Sequence, residues 1–260
     1  MVAVLSCRKL TAPMTPTEFT AARLHRLADI ERTHFWFVGR RVLVASLVRR
    51  HWPSPPVDVL EAGCGTGSTA DRLTELGYRV VAFDMRPEGV ADLKRRRPSA
   101  LAFRADAVSV PLPDGHFDAA IALDVLEHVD DRQALSELVR VLKAGASIIL
   151  TVPALPSLWS FRDQAAGHRR RYTKSTLEEL CASTGLTVVS CGYYQCLLLP
   201  VVMVSRWLGR KRQAWRDRED QPSAFVNAML TPIARIDAWA GVHIRWPIGS
   251  SLVVVCRLTR

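Results

Sequence analysis

A chain of 260 residues with 48% hydrophobic content can bury one sizeable core without cross-links. Its six cysteines, Cys7, Cys64, Cys181, Cys191, Cys196 and Cys256, show no C-x-x-C spacing and no clustering with histidine, which argues against an oxidised scaffold and a zinc site and fits a reducing cytoplasm. The formal net charge of +10 suits an acidic metabolite, a lipid headgroup or a nucleic acid.

Residues 1–16 contain Arg8 and Lys9 but no long apolar core, so they read as a loose tail and not a signal peptide. From about Thr17 to Thr33, Leu24, Leu27 and Ile30 alternate with charges and predict an amphipathic lid helix. Phe35, Trp36 and Phe37 follow beside Arg40 and Arg41. Exposed rings cost free energy unless they cover something, so this run either closes over a ligand or pins the N-terminal helices to the domain behind it. Residues 1–52 are set apart as tail and lid, and 53–260 as the main domain.

Val57–Ala62 reads as a buried strand that runs into Gly63-Cys64-Gly65-Thr66-Gly67, with Glu61 just before the turn. Glycines there permit positive φ and let a ligand approach main-chain N–H groups. A dinucleotide fingerprint would place its third glycine at position 68, where Ser68 stands, so the spacing E-x-G-x-G-x-G favours a different ligand. Tyr78–Asp84 is a second strand ending in an acid, whose carboxylate can accept from both ribose hydroxyls. Leu101–Ala105 is a third, ending at Asp106, which can accept from an adenine amino group. Phe117–Leu123 is apolar apart from Asp118, as a strand covered on both faces should be, and leads into Asp124-Val125-Leu126-Glu127-His128-Val129. Asp130 or Asp131 caps a helix to Leu142, Gly145 ends it, and Ser147–Pro153 forms the fifth strand. In an open α/β sheet the ligand lies beyond the carboxyl ends of the strands, so these positions converge on one crevice.

This ordered set of strand ends resembles the class I S-adenosylmethionine-dependent methyltransferases that modify small molecules, from about Val57 to Pro153. The string D-V-L-E-H-V is similar to the post-strand motif of quinone-type methyltransferases. The resemblance implies a Rossmann-like α/β fold: seven mostly parallel strands, helices on both faces, and a last strand antiparallel beside the sixth. It implies S-adenosylmethionine as cofactor. Glu61, Gly63, Cys64 and Gly65 would lie at its methionine part, Asp84 at the ribose, Met85 against adenine, and Asp106 and Ala107 at the adenine edge. Leu123 and Asp124 would line the methionine end, and Trp36 and Arg40 would close the site, with the guanidinium on the cofactor carboxylate.

The segment after Pro153 overhangs the same crevice and carries Gly167-His168-Arg169-Arg170-Arg171-Tyr172. Methyl transfer needs an aligned acceptor, a dry site and, for a hydroxyl or ammonium acceptor, a base. His168 and His128 are the candidate bases, and Arg171 and Tyr172 the candidate substrate contacts; no metal ligand set is indicated. A helix follows from about Thr173 to Thr184, with Ser175 and Glu178 spaced like a capping box, then a sixth strand from Leu186 to Tyr193 and a last one from Ser251 to Leu258.

Between those two strands, residues 194–249 make a long helical insertion where a hairpin would need only a few residues. It carries an apolar run from Cys196 to Val204, too short to span a bilayer, and then Arg206, Arg210, Lys211, Arg212, Arg216 and Arg218 interleaved with Trp207 and Trp215. A second amphipathic helix covers Phe225–Val242. The insertion can wall an apolar pocket, form a homodimer face, or lie on an anionic membrane surface, which makes the expected location cytoplasmic or peripheral to the membrane. The expected function is methylation of a small, largely apolar acceptor, at oxygen ahead of nitrogen or carbon. RNA methylation and cofactor binding without catalysis are the competing classes; no RNA-binding module is appended, and no specific nucleic acid is expected.

Overall fold

The computed structural model describes residues 31, 33–211 and 222–259, so the expected tail and most of the lid helix lie outside the described residues. Five strands run parallel: Asp58–Ala62 (β1), Arg79–Asp84 (β2), Leu101–Arg104 (β3), Phe117–Leu123 (β4) and Leu142–Pro153 (β5). Leu186–Tyr194 (β6) and Ser251–Leu258 (β7) complete one sheet of order β3-β2-β1-β4-β5-β7-β6. β7 is antiparallel to both neighbours, so the last strand lies between the fifth and the sixth. This is the Rossmann-like arrangement expected from the strand ends.

Because successive side chains of a strand point to opposite faces, the central strands feed two cores. Leu60, Ala120, Ile148 and Val254 pack on one side with Leu135 and Leu138 of helix Asp131–Val141 (α4) and Leu177 of helix Lys174–Ser183 (α6). Val59, Ile121, Ile149, Val253 and Val255 pack on the other with Leu43, Val44, Leu47 and Val48 of helix Phe35–His51 (α1). Each fully buried Leu contributes about 1.5–3 kcal/mol relative to exposure, which fixes the sheet and therefore its strand ends. Helices Ser68–Glu75 (α2), Pro87–Arg96 (α3) and Phe161–Ala166 (α5) follow β1, β2 and β5.

Two local expectations are corrected. Helix α4 starts under an Asp130 cap, whose Oδ1 accepts from Gln133 N at 2.9 Å, but it stops at Val141; Gly145, at φ 76°, sits within an irregular stretch of the β4–β5 pairing. The capping box of α6 is Thr173 with Thr176, because the helix begins at Lys174 and Thr173 is the residue with extended backbone; Glu178 instead lies 3.7 Å from Lys174 Nζ.

The insertion holds helices Leu199–Lys211 (α7) and Ala224–His243 (α8). α8 lies along α1, and Asn227 ties their beginnings together by accepting from Phe35 N and donating to Thr33 O, both at 2.8 Å. Asp237, buried inside α8, accepts from the backbone N–H groups of Cys196, Leu197 and Leu198 at 3.0, 3.0 and 3.3 Å and so fixes the entry to α7. Among the described residues no helix is long and apolar enough to cross a membrane.

Candidate cofactor and acceptor site

The turn after β1 needs its glycines. Gly63 sits at φ 66°, and a Cβ there would come within 2.4 Å of Val125 Cγ2; Gly65, at φ 53°, would point a Cβ into open space on the side where a ligand can lie against the backbone. Asp84, at the end of β2, accepts from Gly65 N and Arg86 N, each at 2.8 Å, so the glycine turn and the acid are one rigid unit. One bond per oxygen leaves lone pairs for two further donors, as a ribose diol requires. Burial raises the Asp84 carboxyl above its ordinary range, and the two backbone donors work against that rise.

At the other end of the turn, carboxylates gather around one guanidinium. Arg40 of α1 reaches Asp124 Oδ2 at 3.2 Å and lies 3.7 Å from Glu31 Oε1, with its guanidinium carbon 4.7 Å from the centre of the Trp36 ring. Asp124 follows β4 at φ 56° and also accepts from Thr151 Oγ1 at 3.2 Å. Glu31 takes hydrogen bonds from Thr66 Oγ1 and, at 2.5 Å, from Ser68 Oγ, which staples the segment before α1 to the glycine turn. Glu61 is buried and its Oε2 has no hydrogen-bond partner. Its carboxyl is pushed up to about 8, chiefly by burial and further by Glu31 and Asp84, with Arg40 pulling the other way.

An excess of buried acid around a single cation, with one acceptor atom unfilled, suits a ligand that carries positive charge and one carboxylate. S-adenosylmethionine is such a ligand: Arg40 can meet its carboxylate, Glu61 and Asp124 its ammonium, and Asp84 its ribose. Leu123 and Cys64 are buried behind this end. Met85 is exposed just after β2, Asp106 Oδ1 accepts from Val108 N at 3.1 Å, and Ala107 is buried.

The two candidate bases meet. The rings of His128, in the short 3-10 turn Leu126–His128, and His168, after α5, lie 4.8 Å apart in an edge-to-face arrangement. His168 Nδ1 is 3.0 Å from Asp163 Oδ1 and its Nε2 is 3.9 Å from Glu127 Oε1. Asp163 belongs to a capping box with Ser160 at the start of α5. Burial would raise its carboxyl, but the His168 hydrogen bond and the charge of Arg171 outweigh that and hold it well below the usual carboxylate range. The side chains of Arg171 and Tyr172 face the scaffold: Arg171 bonds Asp163 at 2.7 Å and Ala154 O at 2.6 Å, and the buried Tyr172 donates to Asp131 at 2.8 Å.

Four participants were not singled out from the sequence: Glu31, Glu127, Asp163 and Thr151. Asp163 carried a legible signal, the Ser160-x-x-Asp163 capping spacing, and Glu127 stood inside the quoted motif. Glu31 and Thr151 carried none, because their partners are distant in the chain.

A family profile described as a methyltransferase domain matches residues 60–150, the span from β1 to β5. Over that span the chain is similar to the methyltransferase domain of S-adenosylmethionine-dependent methyltransferases. It is 28% identical over 184 residues to a Mycobacterium tuberculosis protein named as an S-adenosylmethionine-dependent methyltransferase, covering 69% of this chain and 66% of that one. A Mycolicibacterium smegmatis protein named likewise is 31% identical over 62% of this chain and 63% of its own length. The matches thus span just under two thirds of these relatives. The methyltransferase fold is also that of Haemonchus contortus phosphoethanolamine N-methyltransferase 2 in complex with S-adenosylmethionine, at a TM-score of 0.63 and 16% identity over 94% of this chain and 58% of that one. S-adenosylmethionine is the methyl donor named for these relatives and the ligand bound in that neighbour.

Proposed function

We propose that this methyltransferase moves the methyl group of S-adenosylmethionine to a small, largely apolar acceptor, at oxygen in preference to nitrogen or carbon. The cofactor supplies a methyl on a sulfonium, already activated for in-line displacement. The chain supplies alignment, exclusion of water and a place for the acceptor's proton. The single observation that carries the reading is the His168 imidazole, held through Nδ1 by an ionised, buried Asp163 at 3.0 Å. With that nitrogen donating, a neutral ring keeps a lone pair on Nε2, the atom to take a hydroxyl proton. His128 lies against the same ring and lines the acceptor space beside it.

The partner proposed for the insertion is an anionic lipid surface. α8 exposes Phe225, Met229, Ile236 and Trp239 at helical spacing, α7 exposes Val201, Val204 and Trp207, and the sequence from Arg206 to Arg218 carries six Arg and Lys against one acid. Apolar side chains beside excess basic charge are the composition of an interfacial helix, and an acceptor dissolved in lipid would be met there. The test of the reaction is turnover with methyl-labelled cofactor against phenols, amines and lipid precursors. Labelling of phenols or lipid hydroxyls supports it, while steeply salt-dependent binding and labelling of RNA would replace it. For the surface, co-sedimentation with anionic but not zwitterionic vesicles is expected; a stable dimer that ignores both would overturn it.

A further inference from the structure

We propose that Glu127, His128 and His168 form a binding site for one divalent transition-metal ion, separate from the cofactor cradle at the glycine turn. Each residue offers one ligand atom, and the three atoms lie within 4.8 Å of one another. Glu127 Oε1 and His168 Nε2 are 3.9 Å apart, too far for a hydrogen bond. Ligands about 2.0–2.2 Å from a shared tetrahedral ion stand about 3.4 Å apart, so the triad would contract by about an ångström on loading.

The second, independent observation is the state of Glu127. It is fully buried, and neither of its carboxylate oxygens has a hydrogen-bond partner. An unpaired buried carboxylate is expensive, and a divalent cation is the partner that relieves it most. Around His168 the structure has the outer support that metal-binding imidazoles carry: Nδ1 faces Asp163, which is itself fixed by Arg171 at 2.7 Å and Ser160 N at 2.9 Å. The direction of Nε2 is therefore set in advance.

Two imidazoles and one carboxylate form the donor set of zinc, iron(II) and manganese(II), whereas calcium and magnesium prefer oxygen alone. The sequence hid this set because Glu127 and His128 are adjacent while His168 arrives from beyond β5. The functional consequence rests on the reaction proposed above: a loaded ion would occupy His168 Nε2 and take over from the imidazole the task of acidifying an acceptor hydroxyl.

The site is tested without turnover. The full chain, stripped with a chelator, is titrated with Zn²⁺ and with Mn²⁺ by calorimetry. One equivalent is expected, with affinity falling at least tenfold in Glu127→Gln and His168→Ala and about tenfold in Asp163→Asn. S-adenosylmethionine affinity and melting temperature, measured in chelator, should be unchanged in Glu127→Gln, which shows that the variant is folded. Absence of saturable binding would overturn the proposal, as would stoichiometric binding that survives both ligand substitutions, the signature of cysteine thiolates. Failure of methyl transfer would leave these readouts untouched.

Discussion

The crevice at the strand ends and the α7–α8 insertion both bury carboxylates, yet they satisfy them differently. In the insertion, Asp237 accepts from three backbone N–H groups and is complete. In the crevice, Glu61 Oε2 and both oxygens of Glu127 are buried with nothing bonded to them, and Arg40 is shared between Asp124 and Glu31. Buried polar groups in folded proteins are nearly always paired, so a saturated acid marks architecture and an unsaturated one marks a place that a ligand finishes. The same chain thus separates what holds it together from what it works with.

The largest expected effect comes from breaking the crevice side. Asp84→Ala removes the acceptor of Gly65 N and Arg86 N together with the ribose diol, and S-adenosylmethionine affinity should fall about 1000-fold, to the point of disappearing in calorimetry. Unchanged affinity would place the ribose elsewhere. Breaking the architectural side should look different. Asp237→Ala leaves three N–H groups without their acceptor and should cost about 3 kcal/mol in chemical denaturation, while the folded fraction binds cofactor as before. A loss of cofactor affinity without loss of stability would move Asp237 to the functional class.

His168→Ala sharpens the division within the crevice. Cofactor affinity should hold while kcat falls about 100-fold, the usual contribution of a positioned acid or base. Asp163→Asn should reproduce part of that loss by releasing the ring. Wild-type turnover in His168→Ala would remove the imidazole from the reaction.

How far the sequence could be read follows the same boundary. The strands of the crevice were legible because both faces of the sheet are covered, so β4 is apolar from Ala119 to Leu123, and the glycine turn and Asp84 stand at the ends of β1 and β2. Position along the strand then fixes position in space. The groups without a signal come from segments whose approach depends on tertiary closure: Glu31 reaches Thr66 and Ser68 from before α1, and Thr151 of β5 reaches Asp124 after β4. Residue type made Arg171 a candidate substrate contact, but only the fold reveals that its side chain is buried against Asp163 and Ala154. The insertion was legible as two helices and not as a surface, because its exposed residues are as apolar as its buried ones.

The finest separation is electrostatic and concerns Glu61. Its carboxyl, ordinarily near 4.5, is pushed to about 8 in the folded chain, first by burial and then by Glu31 and Asp84. Between those values the native state binds the proton that the unfolded chain releases, so stability falls as pH rises, by up to about 1.4 kcal/mol per pH unit. The contribution is fully present below about pH 4.5 and is lost as pH passes through about 8. Glu61→Gln cannot ionise and should show a flatter stability profile from pH 5 to 8, crossing above the wild type at the alkaline end. Saturating S-adenosylmethionine should flatten the wild-type profile as well, because an ammonium beside Oε2 favours the carboxylate over the acid. If the cofactor left the slope as it was, Glu61 would belong with Asp237 as a structural acid, and the ammonium would have to be met by Asp124 alone.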